Sequence, residues 1–237
     1  MTATFLLNEL KSVANPEKAA FLQRFFKTGP GEYAEGDIFL GLVTPLIRSI
    51  VKSNRQTPLS ELSILMQSEY HEARACALLI LVEQFKRAKE EERSKIYDFY
   101  LEHRAGINNW DLVDVTCPHI VGAWLLDKDR SVLYDLVKSS DLWEQRIAMV
   151  STITFIRKRD YADALALATE LLVHTHDLMH KAVGWMLREI GKRGRAVLSD
   201  FLNTYASRMP RTALRYAIEH YPEQERQFYL KIPRLKK

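Results

Sequence analysis

Apolar helical segments recur along this 237-residue chain at a nearly constant interval. Three of them place a basic residue just before a small residue and an apolar helix: EARACALLILV around Arg74, EQRIAMVSTITFI around Arg146 and HKAVGWMLREI around Lys181. The first two basic residues lie 72 positions apart, which is two units of 36, and the last two lie 35 apart. This period is typical of helix pairs that stack into a solenoid.

The same period predicts further units between and after these three. The unit missing from the middle should begin near residue 110, where the chain has WDLVDVTCPHIVG, and a weaker copy, PRTALRYAIEHY, follows from Pro210. In a solenoid each unit buries its face only against its neighbours, so equivalent positions of successive second helices form one curved surface. The period therefore places one set of side chains on a concave wall: Arg74, Trp110, Asp114, Arg146, Lys181, Trp185, Arg211 and Arg215.

Helical periodicity extends over most of the chain, and almost no segment alternates with a period of two. The connections NRQTPLS, DKDRS and GKRGR are short, and we interpret TGPGEYAEGD, from Thr28, as the turn leading into the second helix. No flexible linker divides the sequence. We predict an all-α, curved helical-repeat solenoid that forms a single domain over residues 1–237.

Composition excludes several classes of protein. A hydrophobic content of 47% is that of a folded chain, and the longest apolar run, ACALLILV, is too short to span a bilayer. Cys76 and Cys117 both lie in apolar surroundings, which favours core residues of a reducing compartment over a disulfide framework. The first residues lack the features of a signal peptide. We expect a cytoplasmic protein with no membrane segment.

Charge is distributed unevenly along the chain. From His180 onward there are 13 Lys and Arg against 5 Asp and Glu, a balance of +8, which leaves −4 for the first 179 residues. A basic C-terminal segment of this kind favours a polyanion as partner. By itself it fits nucleic acid, an anionic membrane surface or a contribution to solubility.

The stretch NNWDLVDVTCPHIVG, residues 108–122, places one tryptophan and two aspartates within five positions. In a helix Trp110 and Asp114 stand four residues apart and share a face. Acids in a first turn are favoured by the helix dipole, and Asn108 or Asn109 is a suitable cap. Two interpretations of this stretch therefore stay open, a capped helix start and a catalytic site.

The four tryptophans have different settings. A lone tryptophan on an apolar helix usually belongs to the core, and we assign Trp124 and Trp143 to it. Trp110 and Trp185 lie among the basic positions of the predicted wall. For Trp110 and Trp185 the sequence is equally consistent with an exposed and with a buried side chain.

Four segments together resemble a known family, the AlkD-type DNA alkylation repair proteins, which are HEAT-like helical-repeat DNA glycosylases. These segments occur in the same order and spacing as in that family: KTGPGEYAEGDIFLGLVTPLIR (27–48), NNWDLVD (108–114), LWEQRIAM (142–149) and HKAVGWMLREIGK (180–192). The resemblance covers nearly the whole chain. It implies excision of N3- and N7-alkylated purines from double-stranded DNA by hydrolysis of the N-glycosidic bond.

The resemblance also implies roles for individual residues. The family's essential aspartate falls on Asp114, its two lesion-facing tryptophans on Trp110 and Trp185, and its DNA-contacting arginine on Arg146. Phe25 stands where the best-known members have a tyrosine, which keeps a stacking face and removes a hydroxyl. Some relatives lack the aspartate and show no glycosylase activity, and the presence of Asp114 argues against that branch.

The implied chemistry suits these residue types. Alkylation at N3 or N7 makes the purine cationic and a good leaving group, so a carboxylate is needed only to stabilise positive charge on the deoxyribose and to orient a water. Tryptophan faces attract a cationic base by roughly 0.5 to 2 kcal/mol. Phosphates would be neutralised by the basic side chains of the predicted wall and its neighbours: Arg146, Lys181, Arg188, Arg211 and Arg215.

Three other features carry weaker signals. His174, His176 and His180 have metal-like spacing, but Asp177 is a plausible N-cap and the segment resembles an inter-helix turn, so we predict no metal site. TGPGEYAEGD lacks the Lys-Ser or Lys-Thr of a P-loop. The tail KIPRLKK is interpreted as a frayed basic end, with phosphate contact as the alternative.

The sequence thus predicts a monomeric, cofactor-free glycosylase that acts on alkylated purines in double-stranded DNA. The alternative is a non-catalytic helical-repeat module that binds DNA or a protein partner.

Overall fold

The structure is a computed structural model that describes residues 1–235. Over this range the chain forms α-helices and short 3₁₀ turns, without any β-strand, and one isolated parallel bridge pairs Ile38 with Tyr70. None of the helices in the described range is both long and apolar enough to cross a membrane. The prediction of an all-α, helical-repeat fold is confirmed.

The chain divides into two compact units, the first covering Met1–Ile120 and the second beginning at Val121. The helices of the first unit are α1 (Ala3–Ser12), α2 (Pro16–Phe25), α3 (Thr44–Ser53), α4 (Leu59–Met66), α5 (His71–Arg87), α6 (Glu90–Glu102) and α7 (Trp110–Asp114). Those of the second unit are α8 (Val121–Trp124), α9 (Ser131–Leu136), α10 (Leu142–Ser151), α11 (Ile153–Arg157), α12 (Ala162–Glu170), α13 (Asp177–Gly191), α14 (Arg195–Tyr205), α15 (Arg211–Ala217) and α16 (Glu223–Lys231). A single domain over residues 1–237 stays a prediction.

Five helices begin where the repeat predicts second helices. They are α5, α7, α10, α13 and α15, which start at residues 71, 110, 142, 177 and 211, so that successive starts lie 32 to 39 residues apart. Each follows a partner helix by a short connection. The concave basic groove that this repeat would line stays a prediction.

Each unit is built on one long second helix. In the first unit α5 is buried from His71 to Val82 on every side, because α1, α3, α4 and α6 pack around it. In the second unit α13 packs most extensively against α15. Gly184 allows this close approach, since a Cβ there would lie 2.5 Å from Tyr216 Cβ and 2.6 Å from the carbonyl oxygen of Ala213.

Residues predicted to lie in the core mostly do so. Cys76 and Cys117 are buried and unbridged, and burial raises the pKa of the Cys76 thiol to about 12. Trp143 is buried as predicted. Trp124 is not: its ring is partly exposed and the ammonium of Lys128 lies 4.4 Å from the ring centroid. Trp124 is the last residue of α8 and lies only partly within the core.

The segment that follows α2 differs from its prediction. TGPGEYAEGD belongs to a loop that leads from α2 into the third helix, and not into the second. The loop is attached to the start of α5, because the His71 amide donates to the carbonyl oxygen of Ile38 at 2.9 Å. Gly41 has a φ of +84°, and a Cβ there would lie 2.1 Å from the Asn15 carbonyl oxygen, so this position requires glycine.

Two predictions about helix ends are also corrected. Asp177 is the first residue of α13 and not its N-cap; the cap is His176, whose ring nitrogen accepts from the Leu178 amide at 3.2 Å. The tail is attached up to Leu235, whose amide donates to the Ser207 carbonyl oxygen at 2.8 Å. Its last two residues, 236–237, lie outside the described residues.

Candidate active site

Trp110 and Asp114 are the first and last residues of α7, so they lie one helical turn apart on the same face. The helix starts there because the side chain of Asn109 accepts the Trp110 amide at 2.8 Å, one of the two caps that the sequence offers. Both Trp110 and Asp114 are half-buried. The stretch is therefore a capped helix start that leaves Trp110 and Asp114 partly exposed.

Two phenylalanines fix the indole of Trp110. Phe25, at the end of α2, is 53% exposed and meets Trp110 edge-on, with ring centroids 6.2 Å apart. Phe26 is buried and stacks on Trp110 at 5.3 Å with an interplanar angle of 25°. The structure thus brings together Phe25 and Trp110, two of the predicted site residues, and leaves the phenylalanine that replaces the family tyrosine open to a ligand.

His71 connects α7 to the rest of the first unit. Its Nδ1 lies 3.1 Å from an oxygen of Asp37, and its Nε2 lies 2.9 Å from an oxygen of Asp111. The side chain is almost completely buried. We call Asp37, His71 and Asp111 the carboxylate–histidine bridge.

The bridge has a strong effect on the titration of its histidine. Burial alone would lower the pKa of His71, but the hydrogen bond and charge of Asp111, followed by those of Asp37, outweigh it and raise the pKa to about 9. Burial alone would raise the pKa of Asp37, but the hydrogen bond from His71, the charge of Arg74 and the hydrogen bond from Asn108 outweigh it. The pKa of Asp37 is therefore lowered. The bridge is therefore a buried cation held between two anions at neutral pH.

The repeat predicted that Arg74 lies on the concave wall, but the side chain is buried and bonds to the bridge instead. Its guanidinium is buried and donates to Asp37 at 2.7 Å, to Asn108 Oδ1 at 2.9 Å and to the carbonyl oxygens of Ser68 and Gly106. Asn108 in turn donates to Asp37 at 2.9 Å. These bonds use the basic residue of this repeat within the fold, so that it is not available to contact a phosphate.

An apolar pocket of about 330 Å³ opens beside the bridge in the first unit. Phe25, Phe26 and Phe39 form aromatic parts of its lining, and His71, Glu72 and Asp111 contribute polar groups. The Glu72 carboxylate already accepts three backbone amides, those of Leu40, Gly41 and Leu42. The pocket therefore presents a mainly apolar surface next to Trp110.

The remaining predicted residues belong to the second unit. Arg146, on α10, is buried and donates to the Leu178 carbonyl oxygen at 2.6 Å. On α13, Lys181, Trp185 and Arg188 follow at intervals of four and three residues and share a face. Lys181 pairs with Asp177 at 2.9 Å, and Arg188 pairs with Glu219. That these residues and Trp185 face the same site as Asp114 stays a prediction.

The two arginines of α15 differ in exposure. Arg211 is partly buried and donates to the Ile232 carbonyl oxygen, which anchors the segment after α16. Arg215 is exposed. Of the basic residues predicted to bind DNA, Arg215 is the most accessible.

The histidines at the start of α13 form hydrogen bonds with one another. His176 donates its amide to His174 Nδ1 at 3.0 Å, and a ring nitrogen of His180 lies 2.6 Å from the His174 carbonyl oxygen. Burial lowers the pKa of His174 and of His176, and the neighbouring His180 lowers both further. Within residues 1–235 no group of three or more histidine, cysteine or acidic side chains has metal-binding geometry.

The carboxylate–histidine bridge was not predicted from the sequence. His71 and Asp37 lie 34 residues apart, and His71 and Asp111 lie 40 apart, so no short motif connects them. The one available signal is that both distances are close to the repeat length. Such a signal identifies neighbouring repeats and not a hydrogen bond between particular side chains.

A sequence model of the family described as DNA alkylation repair enzyme matches residues 6–221. The chain belongs to this family. Its function therefore lies in DNA alkylation repair, and DNA is its partner. A solved structure titled "Predicted DNA alkylation repair enzyme from Enterococcus faecalis" is similar, with a TM-score of 0.69 and 17% sequence identity over 89% of this chain and 97% of that chain. At this identity the likeness shows the fold alone. No curated protein matches the chain.

Proposed function

We propose that this family member is a DNA glycosylase that removes cationic N3- and N7-alkylated purines from double-stranded DNA. The observation that carries the proposal is one face of α7, on which the half-buried Trp110 and Asp114 stand one turn apart, with the exposed ring of Phe25 against Trp110. An aromatic surface next to a carboxylate is the arrangement that a cationic base and its sugar require.

The reaction needs one carboxylate and one water. As the bond between C1′ and the purine nitrogen breaks, its electron pair moves to the base and neutralises the cation, while positive charge grows on the deoxyribose. The Asp114 carboxylate stabilises that charge and takes a proton from the water that attacks C1′. The products are a neutral alkylpurine and an abasic sugar, so no cofactor is required.

Selectivity arises in two ways. The faces of Trp110 and Trp185, together with Phe25, favour a cationic base, and each such contact is worth roughly 0.5 to 2 kcal/mol. The N-glycosidic bond of an alkylated purine is also intrinsically labile, whereas that of an unmodified purine is not. We propose that the protein binds DNA as a monomer and contacts the phosphate backbone without reading sequence. The contacting residues are Lys181, Arg188, Arg211 and Arg215, with Arg146 in support.

The test is release of 3-methyladenine and 7-methylguanine from methylated duplex DNA, measured by chromatography of the free bases. We expect wild-type protein to release them and Asp114→Asn to lose at least about a hundredfold in rate, because the charge that stabilises the sugar is gone. Asp98→Asn, an exposed aspartate of α6, is the matched control and should retain the wild-type rate.

Duplex binding by Asp114→Asn separates this proposal from the alternative. A variant that binds methylated DNA as well as wild type but releases no base supports a catalytic role for Asp114. Wild-type protein that binds DNA and releases no more base than the variant would instead identify a non-catalytic DNA-binding module.

A further inference from the structure

Both ring nitrogens of His71 face carboxylates, at 3.1 Å from Asp37 and 2.9 Å from Asp111. An ionised carboxylate only accepts hydrogen bonds, and a neutral imidazole has a single N–H. Two such bonds therefore require a proton on each nitrogen. The geometry makes His71 an imidazolium in the folded protein.

The three residues of the carboxylate–histidine bridge come from separate elements. Asp37 lies in the loop between α2 and α3, His71 is the first residue of α5, and Asp111 is in the first turn of α7. Since α5 forms the centre of the first unit, the bridge attaches both the loop and α7 to its most buried helix.

Asp111 depends on this attachment. In the described part of the chain its Oδ1 is buried without a hydrogen-bond partner, while Oδ2 bonds to His71. Asp111 immediately follows Trp110 and lies three residues before Asp114 in a helix of only five residues. A rotation of α7 that moved Asp111 away from His71 would turn both predicted site residues with it.

The ring of His71 also contacts the aromatic support of Trp110. Phe39 stacks on the ring at 4.4 Å and Phe26 lies 5.3 Å from it, and Phe26 is the residue that stacks on Trp110. A cation between these faces is favoured over a neutral ring. The state of His71 is thus transmitted to Trp110 by two routes, one through Asp111 and one through Phe26.

We propose that His71 is a positioning residue for α7, which as an imidazolium holds Asp111 and thereby sets the orientation of Trp110 and Asp114. This inference rests on the proposed function, because that function assigns those two residues their roles. His71 is not expected to touch the substrate.

The proposal has a defined pH dependence. The charged groups around the ring are Asp37 and Asp111, which bond to it, Arg74, which bonds to Asp37, and Glu72, which lines the same pocket. The carboxylates raise the pKa of His71 to about 9 from an ordinary value of 6.5. The contribution of the bridge is therefore complete below pH 6.5 and is lost as the pH rises through about 9.

The first experiment is an NMR titration of the histidine rings in the full-length protein, with the His71 signal assigned by its absence in His71→Gln. We expect His71 to titrate near pH 9 and to titrate at lower pH in Asp111→Asn. In protein labelled with 5-fluorotryptophan, the ¹⁹F signal of Trp110 should shift over the same pH range as His71. The signal of the buried Trp143 serves as the control and should not follow it.

The second experiment is the pH profile of base release. Wild-type kcat should fall as the pH rises through about 9, and Asp37→Asn should move that fall to lower pH. His71→Gln should reduce the rate roughly tenfold or more at neutral pH and abolish the alkaline fall, whereas His220→Gln, at an exposed histidine, should change neither.

The results distinguish this inference from the proposed function. A protein that releases no base at any pH contradicts the proposed function, and the two NMR signals still test the bridge. A His71 that titrates near 6.5, a Trp110 signal that ignores its titration, or a His71→Gln enzyme with a wild-type rate and profile would each overturn the positioning role.

Discussion

Glu72 shows how one buried residue determines the path of a whole loop. Its Oε2 accepts the Leu40 amide at 2.9 Å, and its Oε1 accepts the amides of Gly41 and Leu42 at 2.8 and 3.0 Å. Three backbone donors that would otherwise be buried without partners converge on one carboxylate. The loop that carries Asp37 to the carboxylate–histidine bridge is therefore fixed by a neighbour of His71 in sequence.

Glu72→Gln is expected to destabilise the protein by about 2 kcal/mol. The amide oxygen of glutamine can still accept Gly41 and Leu42, but its NH₂ group then faces the Leu40 amide, donor against donor. One buried N–H loses its partner. The free energy of unfolding in urea measures the loss, and Glu69→Gln, an exposed glutamate nearby, should leave it unchanged. Equal stability of the two variants would contradict this role for Glu72.

At this scale, what the sequence could predict depended on separation along the chain. Trp110 and Asp114 stand in one continuous segment, so helical spacing alone put them on a common face. Arg74 was predicted for a surface because its repeat position is basic, and the structure buries it. Its partner Asp37 is 37 residues away, and nothing in a one-dimensional pattern indicates that pairing.

At the scale of elements, the repeat period and the short turn segments predicted more of the structure. The second helices start close to the predicted positions because a helix pair needs a nearly constant length of chain to bury its apolar face. The loop after α2 and the five-residue α7 were less predictable. Both are held by side chains of α5, so their conformations depend on tertiary contacts and not on local propensity.

The contact between α13 and α15 leads to a prediction about Gly184. Replacing glycine by alanine in a helix interior ordinarily stabilises a protein by up to about 1 kcal/mol. At Gly184 the new methyl group would lie 2.6 Å from the carbonyl oxygen of Ala213 and 2.5 Å from Tyr216 Cβ, so the two helices must separate. We expect Gly184→Ala to destabilise the second unit by about 1 to 3 kcal/mol, measured by urea unfolding.

Gly191→Ala in the same helix is the matched control. Its methyl group would lie 2.5 Å from Leu198 Cδ2, the far end of a flexible side chain that can rotate away. A smaller effect is expected there than at Gly184. If both substitutions cost the same, steric contact with backbone atoms is not what requires glycine at position 184.

At the scale of the whole molecule, part of the positive charge of the basic C-terminal segment, from His180 onward, is engaged within the fold. The described structure pairs six of its cations with carboxylates: Lys181, Arg188, Lys192, Arg193, Arg195 and Arg226. The pairs of Lys181, Arg195 and Arg226 are exposed on both sides, and such pairs are worth little to stability, so these three cations can exchange a carboxylate for a phosphate at small cost. The net charge of this segment, and not the pairing seen without DNA, therefore governs its attraction to a polyanion.

Binding of duplex DNA should consequently weaken with salt and depend little on sequence. Each phosphate contact contributes about 0.9 to the slope of log K against log salt, so five contacting cations would give a slope of about −4.5. Arg146 is buried and bonded to a backbone carbonyl, which favours a smaller value. Arg215 is exposed, and Arg215→Ala should reduce the slope by about 1 with similar loss on all sequences.

Arg157→Ala removes the same charge from an exposed position on α11, outside the predicted wall, and serves as the control for this measurement. If the wall binds the phosphates, affinity titrations over a range of salt should show a reduced slope for Arg215→Ala and the wild-type slope for Arg157→Ala. Equal reductions would mean that the protein attracts DNA through its overall charge, without a defined docking face. A wild-type slope near zero would argue against phosphate contacts altogether.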